Sequence, residues 1–123
     1  MMVAGKRILV VDDDQAIRET LSEVLEDEGY AVASAENGLD AIHYLRSQDP
    51  PSLILLDLMM PVMNGWQFRD EQLRDPSLKT IPVVVISADN GVREKAASIA
   101  VDHYMRKPID LEELLELIER FAA

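Results

Sequence analysis

The stretch Arg7-Ile-Leu-Val-Val-Asp-Asp-Asp14 carries the fold reading, and the rest of the chain repeats its logic. Its first half is a short, continuous apolar run rich in β-branched residues, the signature of a strand covered on both faces. Three aspartates follow it with no glycine among them. Ile17, Leu21, Val24 and Leu25 then recur at helical spacing with charged residues between. That pattern predicts an amphipathic helix, capped by one of the aspartates and stopped by Gly29. The unit is a buried strand, an acidic loop and a helix.

The alternation continues outward. From Tyr30 to Ala35 the chain reads as a weaker strand. Leu39, Ile42 and Leu45 mark a second helix that Pro50-Pro51 closes. Leu53-Ile-Leu-Leu56 is a third apolar strand, followed by a loop with Pro61 and Gly65. A third helix opens at Trp66 and ends near Asp75-Pro76. A fourth strand runs from Ile81 to Ile86, where Pro82 is tolerable only near the start. A short helix from Val92 to Ala100, a fifth strand from Asp102 to Arg106 and a last helix from Asp110 complete the series. Five strand–helix repeats with short connections predict an α/β fold: a five-stranded parallel sheet flanked by helices on both faces.

At 123 residues the chain is read as a single domain, 1–123. Cys 0 removes disulfides, thiol nucleophiles and thiolate metal sites, and His 2 makes a structural zinc site a poor fit. The net charge of -11 opposes direct nucleic-acid binding, which draws its strength from neutralising phosphates. It equally opposes an anionic membrane surface. Met1–Lys6 lacks the apolar core of a signal peptide, and no apolar run is long enough to span a bilayer. The expectation is an acidic cytoplasmic domain.

In such sheets ligands sit beyond the carboxyl ends of the strands. Those ends carry Asp12-Asp13-Asp14, Asp57, Ser87 and Lys107. The first loop would repel a bare phosphate, which disfavours a dinucleotide or flavin. Asp12, Asp13 and Asp57 instead make a cage of hard oxygens. At about 5 Å separation and an effective dielectric of about 20, each pair repels by roughly 3 kcal/mol. A divalent cation of Mg²⁺ type offsets that repulsion, and Lys107 can add a second positive charge.

Ile8-Leu-Val-Val-Asp-Asp13, Leu56-Asp-Leu-Met-Met-Pro61 with Met63-Asn-Gly65, Val85-Ile-Ser-Ala88 and Tyr104-Met-Arg-Lys-Pro108 together resemble the receiver domain of two-component response regulators. The resemblance to this CheY-like family covers essentially the whole chain, in order. It implies a flavodoxin-like (βα)5 fold with strand order 2-1-3-4-5, an order for which CheY-like proteins are themselves the type case. It implies that Asp57 accepts a phosphoryl group from a histidine kinase or a phosphotransfer protein. Asp13 matches a direct Mg²⁺ ligand, Asp12 its water-mediated neighbour and Met59 a backbone-carbonyl ligand, with Mn²⁺ as the alternative ion. Lys107 matches the phosphoryl contact, followed by a cis bond to Pro108. Ser87 matches the switch hydroxyl and Tyr104 the aromatic that changes rotamer with it. Such a domain is not a turnover enzyme; it catalyses only its own phosphorylation and dephosphorylation.

Some positions depart from the family pattern. Asn64 stands where Asp is frequent, and Ala100-Val101 where Gly-Ala is frequent. The methyl group of Ala100 is tolerable unless the backbone there needs positive φ. Ile109 replaces a frequent aromatic. Met59 and Asp89 lie two positions beyond the acceptor and the switch; an apolar Met59 is expected to hinder hydrolytic water. His43 reads as a surface residue, His103 as a strand residue with no donor role, and Trp66 as packing.

Leu111, Leu115 and Ile118 are expected to form the core stripe of the last helix, with Leu114, Leu117 and Phe121 widening it. Part of that width points to a protein target, or self-association, through the surface of the fourth helix, fifth strand and fifth helix. The ends of the chain are expected to be those of a small complete protein or of an excised domain. Two readings compete. One is a degenerate receiver acting as a non-phosphorylated interaction module. The other is a haloacid-dehalogenase-type phosphatase with Asp12 as nucleophile and Asp14 as acid/base, against which Ala16 stands where Thr or Val is expected.

Overall fold

Side chains along a strand point alternately to opposite sides of its sheet, and here both sides are covered. The computed structural model describes residues 6–122. The readings made on Met1–Gly5 and Ala123 lie outside the described residues. Ten elements alternate: β1 (Arg7–Val11), α1 (Gln15–Asp27), β2 (Ala31–Ala35), α2 (Gly38–Ser47), β3 (Leu53–Asp57), α3 (Gly65–Arg74), β4 (Val83–Ser87), α4 (Val92–Ser98), β5 (His103–Arg106) and α5 (Leu111–Ala122). The five strands form one parallel sheet in the order β2-β1-β3-β4-β5. That is the expected flavodoxin-like arrangement.

Leu9, Val11, Ile54, Leu56, Val83 and Val85 face one core, which α2, α3 and α4 close with Ile42, Leu45, Phe68 and Ala96. Their neighbours Ile8, Val10, Leu53, Leu55, Val84 and Ile86 face the other, closed by Leu21 and Leu25 of α1 and by Leu114 and Ile118 of α5. Every residue of β3 and β4 is buried, as their apolar runs at residues 53–56 and 83–86 predict, and so are the polar residues Asp57 and Ser87 that end them. Among the described residues no helix is long and apolar enough to cross a membrane.

The helix starts follow their sequence signals. Asp14 caps α1, its Oδ1 accepting from the N–H groups of Ala16 at 2.9 Å and Ile17 at 3.2 Å. Asn64 opens α3 with a capping box, exchanging 2.9 Å bonds with Gln67. Asparagine at this point is a helix cap, consistent with its tolerance in place of Asp. Gly29, at φ 95, ends α1 as expected.

One expectation needs correction, and the condition set on Ala100 is met. On α5 the residues at the centre of the apolar arc are Leu114 and Ile118, both fully buried, while Leu111 is 36% exposed. Two helical rows cross at Ile118, and the centre of the six-residue arc falls on the Leu114 side. Leu115, Leu117 and Phe121 are partly buried flanks. At the turn before β5, Ala100 does sit at φ 58, so the alanine occupies backbone that favours glycine. Arg69 on α3 spans this turn, donating to the carbonyls of Ile99 at 2.9 Å and Ala100 at 2.8 Å.

Candidate functional site

Register brings the strand-end residues into one row. Val11 pairs with Leu56, so Asp12, the next residue, lies beside Asp57 at the end of β3. Asp57 in turn pairs with Ile86, and Ser87 with Arg106, which puts Ser87 and Lys107 one step further along the same edge. The Lys107 N–H donates to the Ser87 carbonyl at 2.9 Å, extending the β4–β5 ladder past the last paired residue. Its side chain then reaches back across β4.

Asp12, Asp13 and Asp57 each offer a carboxylate oxygen, and the three oxygens lie within 4.8 Å of one another. Asp12 and Asp57 are buried and Asp13 is exposed, so the cluster is a pocket with one open side. Lys107 Nζ lies 2.8 Å from Asp12 Oδ2 and 3.8 Å from Asp57 Oδ1. The other oxygen of Asp12 accepts from the Asp14 N–H at 2.9 Å. Arg18, one turn into α1, donates to the Asp12 carbonyl at 2.6 Å and pins the loop from behind.

Like charges crowded in a low-dielectric pocket disfavour ionisation. Burial, and then the neighbouring charge of Asp12, push the Asp57 carboxyl up to about 6; Lys107 opposes this, Asp13 adds to it and the Leu58 N–H opposes it. Burial works against the ammonium of Lys107. The hydrogen bond and charge of Asp12, with Asp57 and Asp13 behind them, outweigh that and hold it above the ordinary lysine range.

The remaining expected residues are placed less centrally. Ser87 is 1% exposed, and its Oγ accepts from the Asp89 N–H at 3.2 Å. Tyr104 is exposed on β5. The side chain of Met59 is 59% exposed at the mouth of the site. Lys107–Pro108 is cis, as the resemblance implied. The loop after Asp57 is held by Gly65, whose N–H donates to the Leu58 carbonyl at 2.9 Å. A Cβ at Gly65 would stand 2.7 Å from the Asp57 carbonyl oxygen and from Leu58 Cα. His43 is exposed, as expected of a surface residue.

The sequence profile of the response regulator receiver domain matches residues 8–119. This chain belongs to that family. The receiver domain is 41% identical to response regulator MprA of Mycobacterium avium over 111 residues, 89% of this chain and 47% of that protein. MprA of Mycobacterium tuberculosis strain H37Ra matches to the same extent. The chain thus spans about half the length of the curated relatives it matches.

Among solved structures, chemotaxis protein CheY4 of Vibrio cholerae superposes with a TM-score of 0.86 at 28% identity, covering 96% of this chain and 99% of that one. TrrA of Thermotoga maritima, solved in complex with Mg²⁺ and beryllofluoride, gives 0.83 at 35% identity over 94% and 98%. The receiver domain of sensor kinase PA1611 from Pseudomonas aeruginosa, with magnesium in its active-site cleft, gives 0.87 at 26% over 97% and 98%. The chain is therefore a receiver domain of two-component signalling with a CheY-like fold. Its all-oxygen carboxylate cluster has the donor set that Mg²⁺ prefers.

Side-chain contacts spanning six to nine residues escaped the sequence reading. Arg18 carried only its place one turn past the acid loop. Gln72 of α3 is fully buried and donates to the carbonyls of Leu78 and Ile81, each at 3.0 Å. Lys95 of α4 binds Asp89 at 2.6 Å, a pairing that nothing in the local pattern announces.

Proposed function

We propose that this receiver domain accepts a phosphoryl group on Asp57 from the phosphohistidine of a histidine kinase or phosphotransfer protein, in a Mg²⁺-dependent reaction. The observation that carries the reading is the grouping of three carboxylates, with oxygens within 4.8 Å, against one ammonium. An Asp57 oxygen attacks phosphorus opposite the imidazole nitrogen. The O–P bond forms as the N–P bond breaks, and the ring, protonated on its other nitrogen, leaves neutral with the bonding pair. The product is an acyl phosphate.

Phosphoryl transfer of this kind depends on positioning and charge neutralisation. Lys107, 3.8 Å from Asp57, is within reach of an oxygen of the incoming group. Asp12, Asp13, Asp57 and the Met59 carbonyl would hold Mg²⁺ or Mn²⁺, which supplies neutralisation of the phosphoryl oxygens. Asp12 is kept in place for this by the bonds from Asp14 and Arg18. An apolar groove of about 310 Å³ beside Lys107, lined by Ile17, Thr20, Leu21, Pro108 and Ile109, offers a surface against which a protein donor can pack.

In this reading Ser87 is the switch hydroxyl that turns toward the new phosphoryl group. Tyr104 is the aromatic that follows it, altering the α4-β5-α5 surface for a protein target or a second copy. A stabilisation of about 5.5 kcal/mol would invert a 1:99 population to 99:1. The reading treats 1–123 as one receiver unit working in the cytoplasm.

Intact mass spectrometry after incubation with Mg²⁺ and acetyl phosphate tests it. One added phosphoryl group is expected, absent with EDTA and absent in Asp57→Ala. If beryllofluoride also leaves Trp66 fluorescence unchanged, the non-phosphorylated interaction module replaces this reading. Catalytic release of phosphate from a monoester would instead favour the phosphatase.

A further inference from the structure

The buried switch-position hydroxyl is connected to a surface helix. Ser87 Oγ accepts the Asp89 N–H at 3.2 Å, and the carboxylate of Asp89 accepts Lys95 Nζ at 2.6 Å from one turn inside α4. Lys95 and Asp89 are 33% and 47% exposed, so this pair is reachable by solvent ions. The other end of α4 is held separately. Arg69 on α3 donates to the carbonyls of Ile99 and Ala100, and its guanidinium also bonds Gln72 at 2.8 Å. The start of α4 is held by Val92, buried in the core, and not by side-chain hydrogen bonds to its backbone. Gly91 stands there in left-handed backbone at φ 80, and no side chain caps the helix. Seven residues of helix are therefore anchored at the C-terminal end through Arg69 and, at the other, by Val92 in the core and through Lys95 and Asp89 to Ser87.

From this connection we infer that Lys95 is a positioning residue that latches the resting state: by fixing Asp89 it keeps the Asp89 N–H on Ser87 Oγ and opposes the turn of that hydroxyl toward Asp57. The inference rests on the proposed role of Ser87. Turning the hydroxyl gives up the bond from Asp89, and a backbone anchored by Lys95 cannot follow it. Without the lysine, the loop from Ala88 to Gly91 relaxes with the hydroxyl, and the start of α4 moves with it. The pair is partly exposed, and such pairs contribute little, so the latch is a bias and not a lock.

Calorimetric titration of the whole chain with Mg²⁺ alone, and then with beryllofluoride at saturating Mg²⁺, tests the latch. Lys95→Ala is expected to bind beryllofluoride about 2- to 5-fold more tightly than the unaltered protein, the range an exposed ion pair allows. Mg²⁺ affinity should stay the same, because neither member of the pair touches the carboxylate cluster. Lys95→Arg should restore the original affinity. Asp89→Asn should reproduce the gain, and the double variant should add nothing further. The difference should vanish in molar salt, which screens an exposed pair. Equal or weaker beryllofluoride binding by Lys95→Ala overturns the latch, as does an equal shift in Mg²⁺ affinity. Failure of the unaltered protein to bind beryllofluoride overturns the phosphoryl-acceptor reading and the latch together.

Discussion

The ammonium of Lys107 is committed to Asp12, 2.8 Å away, although both residues reach the pocket from strands that are not neighbours. Asp57, at 3.8 Å, receives the weaker share of the same charge. Of the two buried acids, Asp57 is thus the less compensated.

Removing that charge exposes the repulsion it offsets. Lys107→Met is expected to lower stability in EDTA at pH 7 by about 2 kcal/mol, below the full cost of orphaning a buried charge because Asp13 opens the pocket to water. Saturating Mg²⁺ should return much of the loss, because a ligand bound only by the folded state stabilises it. Urea unfolding with and without Mg²⁺ measures both effects, and an unchanged midpoint in EDTA would contradict the charge account.

Asp57 makes the complementary case. Its folded carboxyl titrates at about 6 against an ordinary 3.8, so between those values the folded state holds a proton that the unfolded state has lost. Stability from this group is therefore fully present below about pH 4 and falls as pH rises toward 6. Asp57→Asn is expected to be about 2 kcal/mol more stable than the unaltered chain at pH 7 in EDTA. That margin should shrink toward pH 4. Urea midpoints across pH 4 to 7 check the sign, and a margin that grows on acidification would refute it.

Val62 sits at φ 69 in the loop beside Asp57, where the Met63 N–H donates to the Pro61 carbonyl at 2.7 Å. A β-branched residue in left-handed backbone is strained, and its side chain is 74% exposed, so it gains nothing from packing. Val62→Gly is expected to raise stability by about 1 kcal/mol, the relieved strain less the entropy glycine loses on folding. Thermal unfolding decides it; a lower midpoint means the turn is unstrained.

Gly65 tests the packing behind Asp57. Its missing Cβ leaves room for the Asp57 carbonyl and for Leu58, each at 2.7 Å from where a methyl group would stand. Gly65→Ala must shift the end of β3, at an expected cost of about 2 kcal/mol. A fall in Mg²⁺ affinity should accompany it, measurable by calorimetry, because Asp57 moves with the strand.

What could be read from the sequence divides along physical lines. β1, β3 and β4 were legible because strands buried on both faces leave unbroken apolar runs. The candidate site was legible for a related reason: a parallel sheet gathers the residues after each run, so Asp12, Asp57, Ser87 and Lys107 could be grouped by position alone. On α5 the period was clear but its centre was not, since six apolar residues share an arc wider than the sheet can cover. Val62 was hidden because its conformation opposes its own propensity. Arg18, Gln72 and Lys95 were hidden because their partners, six to nine residues away, are backbone carbonyls or loop residues that no helical or strand period connects.

The central claim is that one particular carboxylate of three takes the phosphoryl group. Reductive trapping of the acyl phosphate after reaction with Mg²⁺ and a phosphohistidine donor, followed by peptide mass spectrometry, locates it directly. The account predicts modification at Asp57 alone, with Asp12 and Asp13 untouched. Modification of Asp12, or of Asp13 with Asp57 left free, would contradict it.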